Sequence, residues 1–439
     1  MNWIRYYKEH LVSAEEALLH IKDHDRVFLG HVCAEPEFLI NEMVRLKEHF
    51  HDVELVQMLS IGEVDHYKPE LQGHFRINSL FAGGNATIAM KGGYADFTPV
   101  HFSRIPLLFR KALPLDVAIV VVTPPDAHGK VSLGVSVDCT KAAVKSAKMV
   151  IAMVNDQMPY TMGESTIDVE RIDFFVEHST SIHEVQPAEI SEVFRKIGQH
   201  CASLVKDGDT IQLGIGELPN AVLEGLRNKK HIGIHTEMFS DGVMKLMKAG
   251  VIDNSQKVIH KNKVVTSFLM GTKELYDFVD KNDDVHFYSI DYVNNSWIIA
   301  QNDHFVSINS CIEVDLMGQV ASENIGFMQI SGTGGQLDFI RGAAMAEHGI
   351  SVIAMPSTTK DGKTSKIVSL LKEGATVTTG RADVDYIITE YGIARMQGRT
   401  LKQRACGLIQ IAHPDFREGL IREFERRFSC TYEEALKSC

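Results

Sequence analysis

Paired cysteines are missing from this sequence of 439 residues. The cysteines are odd in number, widely scattered and never arranged as C-x-x-C, and they are Cys33, Cys139, Cys201, Cys311, Cys406, Cys430 and Cys439. A disulfide framework would need an even set, and a zinc knuckle would need closely spaced pairs. The cysteines therefore indicate neither, and a reducing cytoplasm is the expected compartment.

Long apolar runs and an excess of basic residues are missing as well. No apolar stretch reaches the ~20 residues that span a bilayer, and the opening MNWIRYYKEH has no signal-peptide core. The formal net charge is −12, which disfavours a surface that binds nucleic-acid phosphates. We therefore expect neither a membrane nor a nucleic acid among the partners.

The fingerprint motifs of several enzyme classes are also absent. The sequence has no complete dinucleotide fingerprint, no P-loop, no H-E-x-x-H and no G-x-S-x-G elbow. Twenty histidines are present, and His231 and His235 flank a predicted strand, but no ligand set accompanies them. A structural role is favoured for these two, so we predict no metal site.

What the sequence does contain is an alternation of strands and helices that starts twice. In the first half, the β-branched run Asp116–Thr123 is typical of a strand buried on both faces. In the second half, strands are predicted at Thr210–Leu213, Val264–Met270 and Val377–Thr379, among others. This alternation predicts an α/β fold with mostly parallel strands.

A chain of this length is expected to form two domains, each with its own core. The polar segment Phe175–Val193 is the best boundary, so we predict α/β domains over residues 1–184 and 185–439, with similar open, largely parallel sheets. Within the first, the Gly-rich segment Phe81–Pro106 predicts long loops over a binding face, with poorly packed excursions as the alternative.

Glu237 is an isolated carboxylate in the second half. It lies between a predicted strand, Ile232–His235, and a predicted helix, Asp241–Ala249, for which Ser240 is the expected N-cap. In open α/β sheets, ligands bind outside the carboxyl ends of the strands, so Glu237 could meet a ligand there. A surface glutamate or one that complements the helix dipole is the plainer alternative.

Three Gly-rich segments accompany Glu237 in the second half, at Gln212–Gly216, Ser331–Gln336 and Thr379–Arg381. Backbone N–H groups at the start of a helix favour an anion or a polarised carbonyl. Each segment alone is more typical of a tight turn than of a ligand cradle. Three of them together with Glu237 favour a binding or catalytic site in this half.

The sequence resembles the acetyl-CoA hydrolase/transferase family of class I CoA-transferases. The resemblance rests on HTEMFSDGV, QLGIG, SGTGGQLDFIRGA, ITEYGIA, IAHPDF and VNDQMP, and it extends over nearly the whole chain. It implies the CoA-transferase fold, which has two α/β domains with the active site between them. It also implies a homodimer or a higher homo-oligomer, and acyl-CoA and short carboxylates as substrates, with no permanently bound cofactor.

The resemblance implies a role for each matching residue. Glu237 matches the nucleophile of the family, and Gly334 and Gly335 suit an oxyanion hole. The positions that match CoA contacts are Gln212, Leu213, Gly214, Ile215, Gly216, Ile312, Gly335 and Lys360, with Lys366 as an alternative to Lys360. His31, Met58 and the segment Gly83–Gly93 are candidates for the acyl pocket, although a structural role is as good an account of each.

The activity implied is transfer of CoA from a short-chain acyl-CoA, such as 4-hydroxybutyryl-CoA or butyryl-CoA, to acetate or a similar acid. An ionised glutamate can attack the thioester, and a glutamyl-CoA thioester then passes CoA to the second acid. An acyl-CoA hydrolase on the same scaffold is the nearest alternative. A sugar-phosphate isomerase or a regulatory binding protein on a similar α/β fold is a second one, which the HTEM match disfavours.

Overall fold

The computed structural model describes residues 2–437, which form sixteen helices and twenty-five strands numbered along the chain. The helices are α1 Trp3–Glu9, α2 Ala14–Leu18, α3 Glu37–Arg45, α4 Asn85–Lys91, α5 Ile105–Lys111, α6 Thr140–Ser146, α7 Glu192–Leu204, α8 Glu217–Gly225, α9 Asp241–Lys248, α10 Lys273–Val279, α11 Ile290–Val293, α12 Ser296–Ile299, α13 Gln336–Met345, α14 Leu401–Gln410, α15 Pro414–Phe428 and α16 Tyr432–Leu436. Among the described residues, no helix is both long enough and apolar enough to cross a membrane.

The strands are short, and most are buried. They are β1 Arg26–Leu29, β2 Val53–Gln57, β3 Phe75–Ser79, β4 Ala95–Phe97, β5 Val117–Val122, β6 Lys130–Ser132, β7 Met149–Val154, β8 Met162–Gly163, β9 Thr166–Asp168, β10 Phe174–Glu177, β11 Thr210–Leu213, β12 Gly233–Ile234, β13 Met238–Phe239, β14 Val264–Thr266, β15 Phe268–Leu269, β16 Val285–Phe287, β17 Phe305–Ser310, β18 Glu313–Asp315, β19 Val320–Ala321, β20 Asn324–Ile325, β21 Met328–Gln329, β22 Ile350–Ala354, β23 Ile367–Val368, β24 Tyr386–Thr389 and β25 Gly392–Arg395.

The first large sheet has seven strands in the order β10-β7-β5-β1-β2-β3-β4, and all of its pairs are parallel. Every residue of β5 is buried, which confirms that this β-branched run is covered on both faces. The chain builds outward from β1 to β4 and then returns to place β5 on the other side of β1. The strand order therefore reverses between β1 and β5, the position at which such sheets bind ligands.

The second large sheet has six strands in the order β12-β11-β17-β22-β24-β25, and only the β24–β25 hairpin is antiparallel. Here the order reverses between β11 and β17. The chain thus has two largely parallel α/β domains, as predicted. No strand lies between Glu177 and Thr210, and the boundary between residues 184 and 185 stays a prediction.

Val377–Thr379 and Phe81–Pro106 both differ from their predictions. Val377–Thr379 is not a strand: only Thr379 forms a bridge, with Val320. Side chains take the place of a ladder, because the Thr376 N–H donates to Asn324 Oδ1 and Thr378 Oγ1 accepts from the Ser322 N–H. Phe81–Pro106 is not one long loop either, because it contains α4 and the edge strand β4.

The predicted strand Val264–Met270 is divided at Ser267, and this break joins the two halves of the chain. The Ser267 carbonyl accepts the N–H groups of Val137 at 3.1 Å and Asp138 at 3.2 Å, while the Leu269 N–H donates to Val135 O. A second junction lies close by, where the Phe102 N–H donates to Gly334 O at 3.0 Å. Both junctions involve segments that contact Glu237.

Candidate active site

Glu237 lies where the sequence predicted, just beyond the carboxyl end of a parallel strand. Strand β12 is shorter than expected, and single bridges at Ile232 and His235 extend it. The Glu237 carbonyl accepts the N–H groups of Ser267 at 3.1 Å and Phe268 at 3.2 Å, which fixes its backbone. The side chain is therefore held at the junction between the domains.

The helix after Glu237 begins at Asp241 and has Ser240 in the N-cap position. The Ser240 side chain makes no capping hydrogen bond, so that part of the prediction is wrong. Asp241 instead turns its carboxylate to Thr272, accepting from the backbone N–H at 3.2 Å and from Oγ1 at 2.5 Å. This pairing ties the start of α9 to the start of α10.

The carboxylate of Glu237 touches two groups from distant parts of the chain. Asn294 donates from Nδ2 to Glu237 Oε2 at 2.7 Å. Gly335, the residue before α13, packs so closely that a Cβ there would lie 2.0 Å from Glu237 Oε2 and 2.1 Å from Asn294 Nδ2. Only glycine fits this position, and the carboxylate therefore lies against bare backbone at a helix N-terminus.

Burial raises the pKa of Glu237 from its ordinary value of 4.5 to about 7. The hydrogen bond from Asn294 acts the other way, and the nearby charges of Asp338 and Asp138 raise the pKa further. Part of the residue remains accessible to solvent, so the side chain is enclosed without being sealed. A carboxylate held in this way is poorly solvated, and its ionised form is correspondingly reactive.

Gly334 and Gly335 were predicted to form an oxyanion hole. Gly334 has φ of +58°, a left-handed conformation that favours glycine. Within the described residues, the N–H groups of Gly334 and Gly335 donate no hydrogen bond. Two backbone donors without partners therefore lie in the loop that contacts Glu237, and the oxyanion role stays a prediction.

The predicted CoA loop Gln212–Gly216 leads from β11 into α8. Gln212 pairs its amide with Asn309 on β17, with N···O distances of 3.4 and 3.2 Å. Leu213 is buried, and its carbonyl accepts from Thr236 Oγ1 at 2.8 Å. Because Thr236 precedes Glu237, this hydrogen bond fixes the loop relative to the carboxylate.

The rest of that loop is open. Among residues 2–437, no atom beyond the chain neighbours lies within 4 Å of where a Cβ of Gly214 or Gly216 would be, and Ile215 is 37% exposed. Gly216 has φ of +107°. Within the described residues, the N–H groups of these three residues donate no hydrogen bond. Successive free N–H groups before a helix form a concave cluster that suits an anion or a carbonyl.

The remaining predicted CoA residues lie on other loops of the second domain. Ile312 is between β17 and β18, and its N–H donates to Ala321 O at 2.9 Å. Lys360 is exposed at a loop tip, whereas Lys366 is half-buried. Burial raises the pKa of Cys311 to about 12, and the charge of Lys366 opposes that rise. Lys366 therefore lies near Cys311, the neighbour of Ile312.

The acyl-pocket candidates belong to the first domain. His31 follows β1, is 1% exposed, and hydrogen-bonds Asp138 through Nε2 at 2.9 Å. Its ring packs at 6.1 Å from that of Phe268. Met58 is buried, and the segment Gly83–Gly93 contains the whole of α4. The acyl-pocket role of all three stays a prediction.

Sequence reasoning missed several polar neighbours of Glu237. Asn294 follows the short helix α11 and has no motif of its own. Asp138 lies in the first domain, 99 positions before Glu237 along the chain, so no local pattern connects the two residues. Asp338 could have been found, because it lies in the SGTGGQLDFIRGA segment, three residues after Gly335.

One group of side chains has the composition of a metal site. His31, Asp138 and Cys139 are buried, with ligand atoms that all lie within 4.8 Å of one another. Asp138 already accepts hydrogen bonds from His31 and Ser136, and burial raises the pKa of the Cys139 thiol well above its usual value. The donor set suits a hydrogen-bonded pair better than a metal, which would need a thiolate here.

Comparison with known proteins identifies relatives of the whole chain. Residues 1–187 match the acetyl-CoA hydrolase/transferase N-terminal domain, and residues 271–424 match the C-terminal domain. The 4-hydroxybutyrate coenzyme A transferase of Clostridium kluyveri is 53% identical over 98% of this chain and all of that protein. A succinyl-CoA:acetate/propanoyl-CoA:succinate CoA transferase of Fasciola hepatica is 47% identical over 93% of this chain and 86% of that protein.

Solved structures agree. The crystal structure of a 4-hydroxybutyrate CoA-transferase from Porphyromonas gingivalis superposes with a TM-score of 0.85 at 43% identity. The match covers 97% of this chain and 100% of that one.

Proposed function

The chain belongs to the acetyl-CoA hydrolase/transferase family and is a CoA-transferase acting on short-chain acyl-CoA, and from that premise we propose its substrates and mechanism. It moves CoA between 4-hydroxybutyryl-CoA or butyryl-CoA and acetate or another short carboxylate. The reaction alternates between two half-reactions and passes through a glutamyl-CoA thioester on Glu237. The observation that carries this proposal is the contact between the Glu237 carboxylate and the bare backbone of Gly335.

In the first half-reaction, a Glu237 carboxylate oxygen attacks the thioester carbon of the acyl-CoA. The C–S bond breaks, giving a mixed anhydride and CoA thiolate. The thiolate then attacks the Glu237 carbonyl carbon, releases the free carboxylate, and leaves CoA joined to Glu237 as a thioester. The second carboxylate runs these steps in reverse and leaves as the new acyl-CoA, so no proton or electron is gained or lost overall.

Each attack creates a negative charge on a carbonyl oxygen. The N–H groups of Gly334 and Gly335 are suited to donate hydrogen bonds to that oxygen, because they have no other partner within the described residues. The positive end of the α13 dipole also lies at Gly335 and would stabilise the same negative charge. Asn294 donates to Glu237 Oε2 and orients the attacking carboxylate. Positioned donors of this kind act at the developing charge and need no metal.

CoA itself would lie along the second domain. The open loop Gln212–Gly216 offers free N–H groups, while Ile312 and one of the lysines Lys360 or Lys366 lie on the neighbouring loops. Thr236 connects the CoA loop to the nucleophile through Leu213. Binding of CoA at this loop would therefore bear directly on the position of Glu237.

The alternative is hydrolysis, in which water takes the glutamyl thioester. Transfer is favoured because the two relatives named above are CoA transferases, and because Asn294 and Gly335 hold the Glu237 carboxylate in place. The test is to follow 4-hydroxybutyryl-CoA consumption with and without acetate. We expect rapid turnover only with acetate, after an initial release of one 4-hydroxybutyrate per site. Equal rates under both conditions would favour the hydrolase.

We also propose a homodimer in the cytoplasm, with the domain boundary between residues 184 and 185. These rest on the resemblance to the family and on the polar composition of the connecting segment. Sedimentation at micromolar concentration should show a dimer, and a stable monomer would contradict it.

A further inference from the structure

Two further carboxylates, those of Asp338 and Asp138, lie near enough to Glu237 for their charges to raise its pKa. Asp338 lies in the first turn of α13, three residues after Gly335, which contacts the Glu237 carboxylate. The first domain holds Asp338 in place, because Ser103 donates to it from the backbone N–H at 3.2 Å and from Oγ at 2.8 Å. Asn294, the donor to Glu237, also lies close enough to Asp338 to lower the pKa of that carboxyl, against the larger effect of burial, which raises it. Asp338 and Glu237 thus lie on either side of the Asn294 amide, which donates to Glu237.

Asp138 approaches Glu237 from the first domain. Its N–H donates to Ser267 O at 3.2 Å, and the Ser267 N–H donates to Glu237 O at 3.1 Å. Its carbonyl accepts the N–H of Ile290 at 3.1 Å, and Ile290 begins the helix that leads to Asn294. Asp138 is therefore linked to Glu237 through both the backbone and the amide donor of that glutamate.

Donors are shared unevenly among the three carboxylates. Asp138 accepts from His31, Ser136 and Thr140, and its carboxylate is fully buried. Asp338 accepts from Ser103 twice, and the Asn294 and His101 side chains lie nearby. The Glu237 carboxylate accepts only from Asn294 within the described residues. Hydrogen-bond donors stabilise an ionised carboxylate, and nearby negative charges destabilise it. Because Glu237 has the fewest donors, its ionised form is the least stabilised of the three.

Formation of glutamyl-CoA removes one negative charge from this cluster. The Glu237 carboxylate becomes a neutral thioester, and the negative charge leaves on the released carboxylate. We propose that Asp338 and Asp138 act through Glu237 by repelling its carboxylate, and so raise the fraction of enzyme that rests as glutamyl-CoA. The inference depends on the proposed glutamyl-CoA mechanism. It makes the two aspartates positioning residues that set an equilibrium, with no contact to substrate required.

The test measures an equilibrium and not a rate. The enzyme is mixed with 4-hydroxybutyryl-CoA and 4-hydroxybutyrate at fixed concentrations well above pH 7, and intact-protein mass spectrometry gives the ratio of CoA-bound to free protein. For Asp338→Asn we expect this ratio to fall about tenfold, the equivalent of one pKa unit of lost repulsion. Asp138→Asn should act in the same direction. Damage to packing would slow both directions but would not by itself change this ratio.

Asp209→Asn is the matched control. Asp209 is also a buried aspartate whose pKa is raised by burial, but it lies before β11, at the opposite end of that strand from the CoA loop. Its ratio should equal that of the wild type. Asp138→Asn could loosen the packing around His31. Asp338→Asn keeps an acceptor oxygen for Ser103, so its ratio is the one that decides whether the inference stands.

A second measurement uses pH. The titratable groups near Glu237 are Asp138 and Asp338, and the next ones are His31, beside Asp138, and His101, beside Asp338. Removal of either aspartate charge should move the pH midpoint of the first half-reaction downward. If both aspartate variants have the same ratio of CoA-bound to free protein as the wild type, and the same pH midpoint, this inference is wrong and the proposed mechanism still stands. A wild type that never carries CoA would overturn the proposed mechanism, and this inference with it.

Discussion

The two glycine-rich loops of the second domain have similar sequences and opposite surroundings. In Ser331–Gly335, a Cβ on Gly335 would overlap Glu237, and one on Gly332 would lie 2.6 Å from the Phe81 ring. In Gln212–Gly216, no other atom of the part of the chain that the structure describes lies within 4 Å of a Cβ placed on Gly214 or Gly216. The first loop is already packed on the proposed nucleophile, and the second leaves space for a ligand. Glycine therefore serves close packing in one loop and access in the other.

The packed loop Ser331–Gly335 has a catalytic role only if Glu237 is the nucleophile. Glu237→Gln keeps the shape but removes the nucleophile, and we expect transfer to fall by at least ~10³-fold with CoA binding nearly unchanged. Steady-state kinetics and CoA titration measure the two effects. A variant that retains near-normal turnover would contradict the role of Glu237.

The same variant should be more stable than the wild type at pH 8. Because the folded-state pKa of Glu237 is raised from 4.5 to about 7, the folded protein holds this proton more tightly than the unfolded chain does. That contribution to stability is complete below 4.5 and is lost as pH rises through about 7. Glu237→Gln has no such loss, so its advantage in free energy of unfolding should grow from pH 5 to pH 8. Denaturant unfolding at both pH values checks this.

Gly335→Ala tests whether the packing of the Ser331–Gly335 loop on Glu237 matters for catalysis. Gly335 has φ of −101°, which alanine adopts without strain, so any loss reports the collision with Glu237. Displacing the carboxylate by roughly 1 Å should lower kcat about 10²-fold. A variant with wild-type kcat would show that the contact with Glu237 is not required.

The pH dependence of the first half-reaction tests the surroundings of Glu237. The attacking form is ionised, so kcat/KM for acyl-CoA should rise about tenfold per pH unit below a midpoint near 7 and level off above it. An ordinary exposed glutamate would give a midpoint near 4.5. Single-turnover kinetics in the absence of an acceptor acid isolate this step.

The open loop should show the smallest effects. Gly214→Ala enters free space, so stability should change by less than about 0.5 kcal/mol while KM for acyl-CoA rises and kcat stays near normal. Gly216→Ala should also destabilise the protein, because φ of +107° strains alanine by about 1–3 kcal/mol. Loss of kcat in Gly214→Ala as large as in Gly335→Ala would remove the distinction between the loops.

The sequence predicted those features that local pattern determines. The apolar run that became β5 and the strand–glutamate–helix order around Glu237 depend on residues close together in the chain. Asn294 was not predictable in this way, because its partner is 57 positions away and the chain shows no spacing rule between them. Val377–Thr379 failed for a related reason, since the side chains of Asn324 and Thr378 replaced the expected ladder.

The most direct test of the account is to locate the covalent intermediate. Borohydride reduces a glutamyl thioester to an alcohol, so it should inactivate the wild-type enzyme only when acyl-CoA is present. The peptide covering His235–Lys245 should then carry the mass change at Glu237, and Glu237→Gln should carry none. A label on another carboxylate, such as Glu217 or Glu390, or inactivation that does not need acyl-CoA, would contradict it.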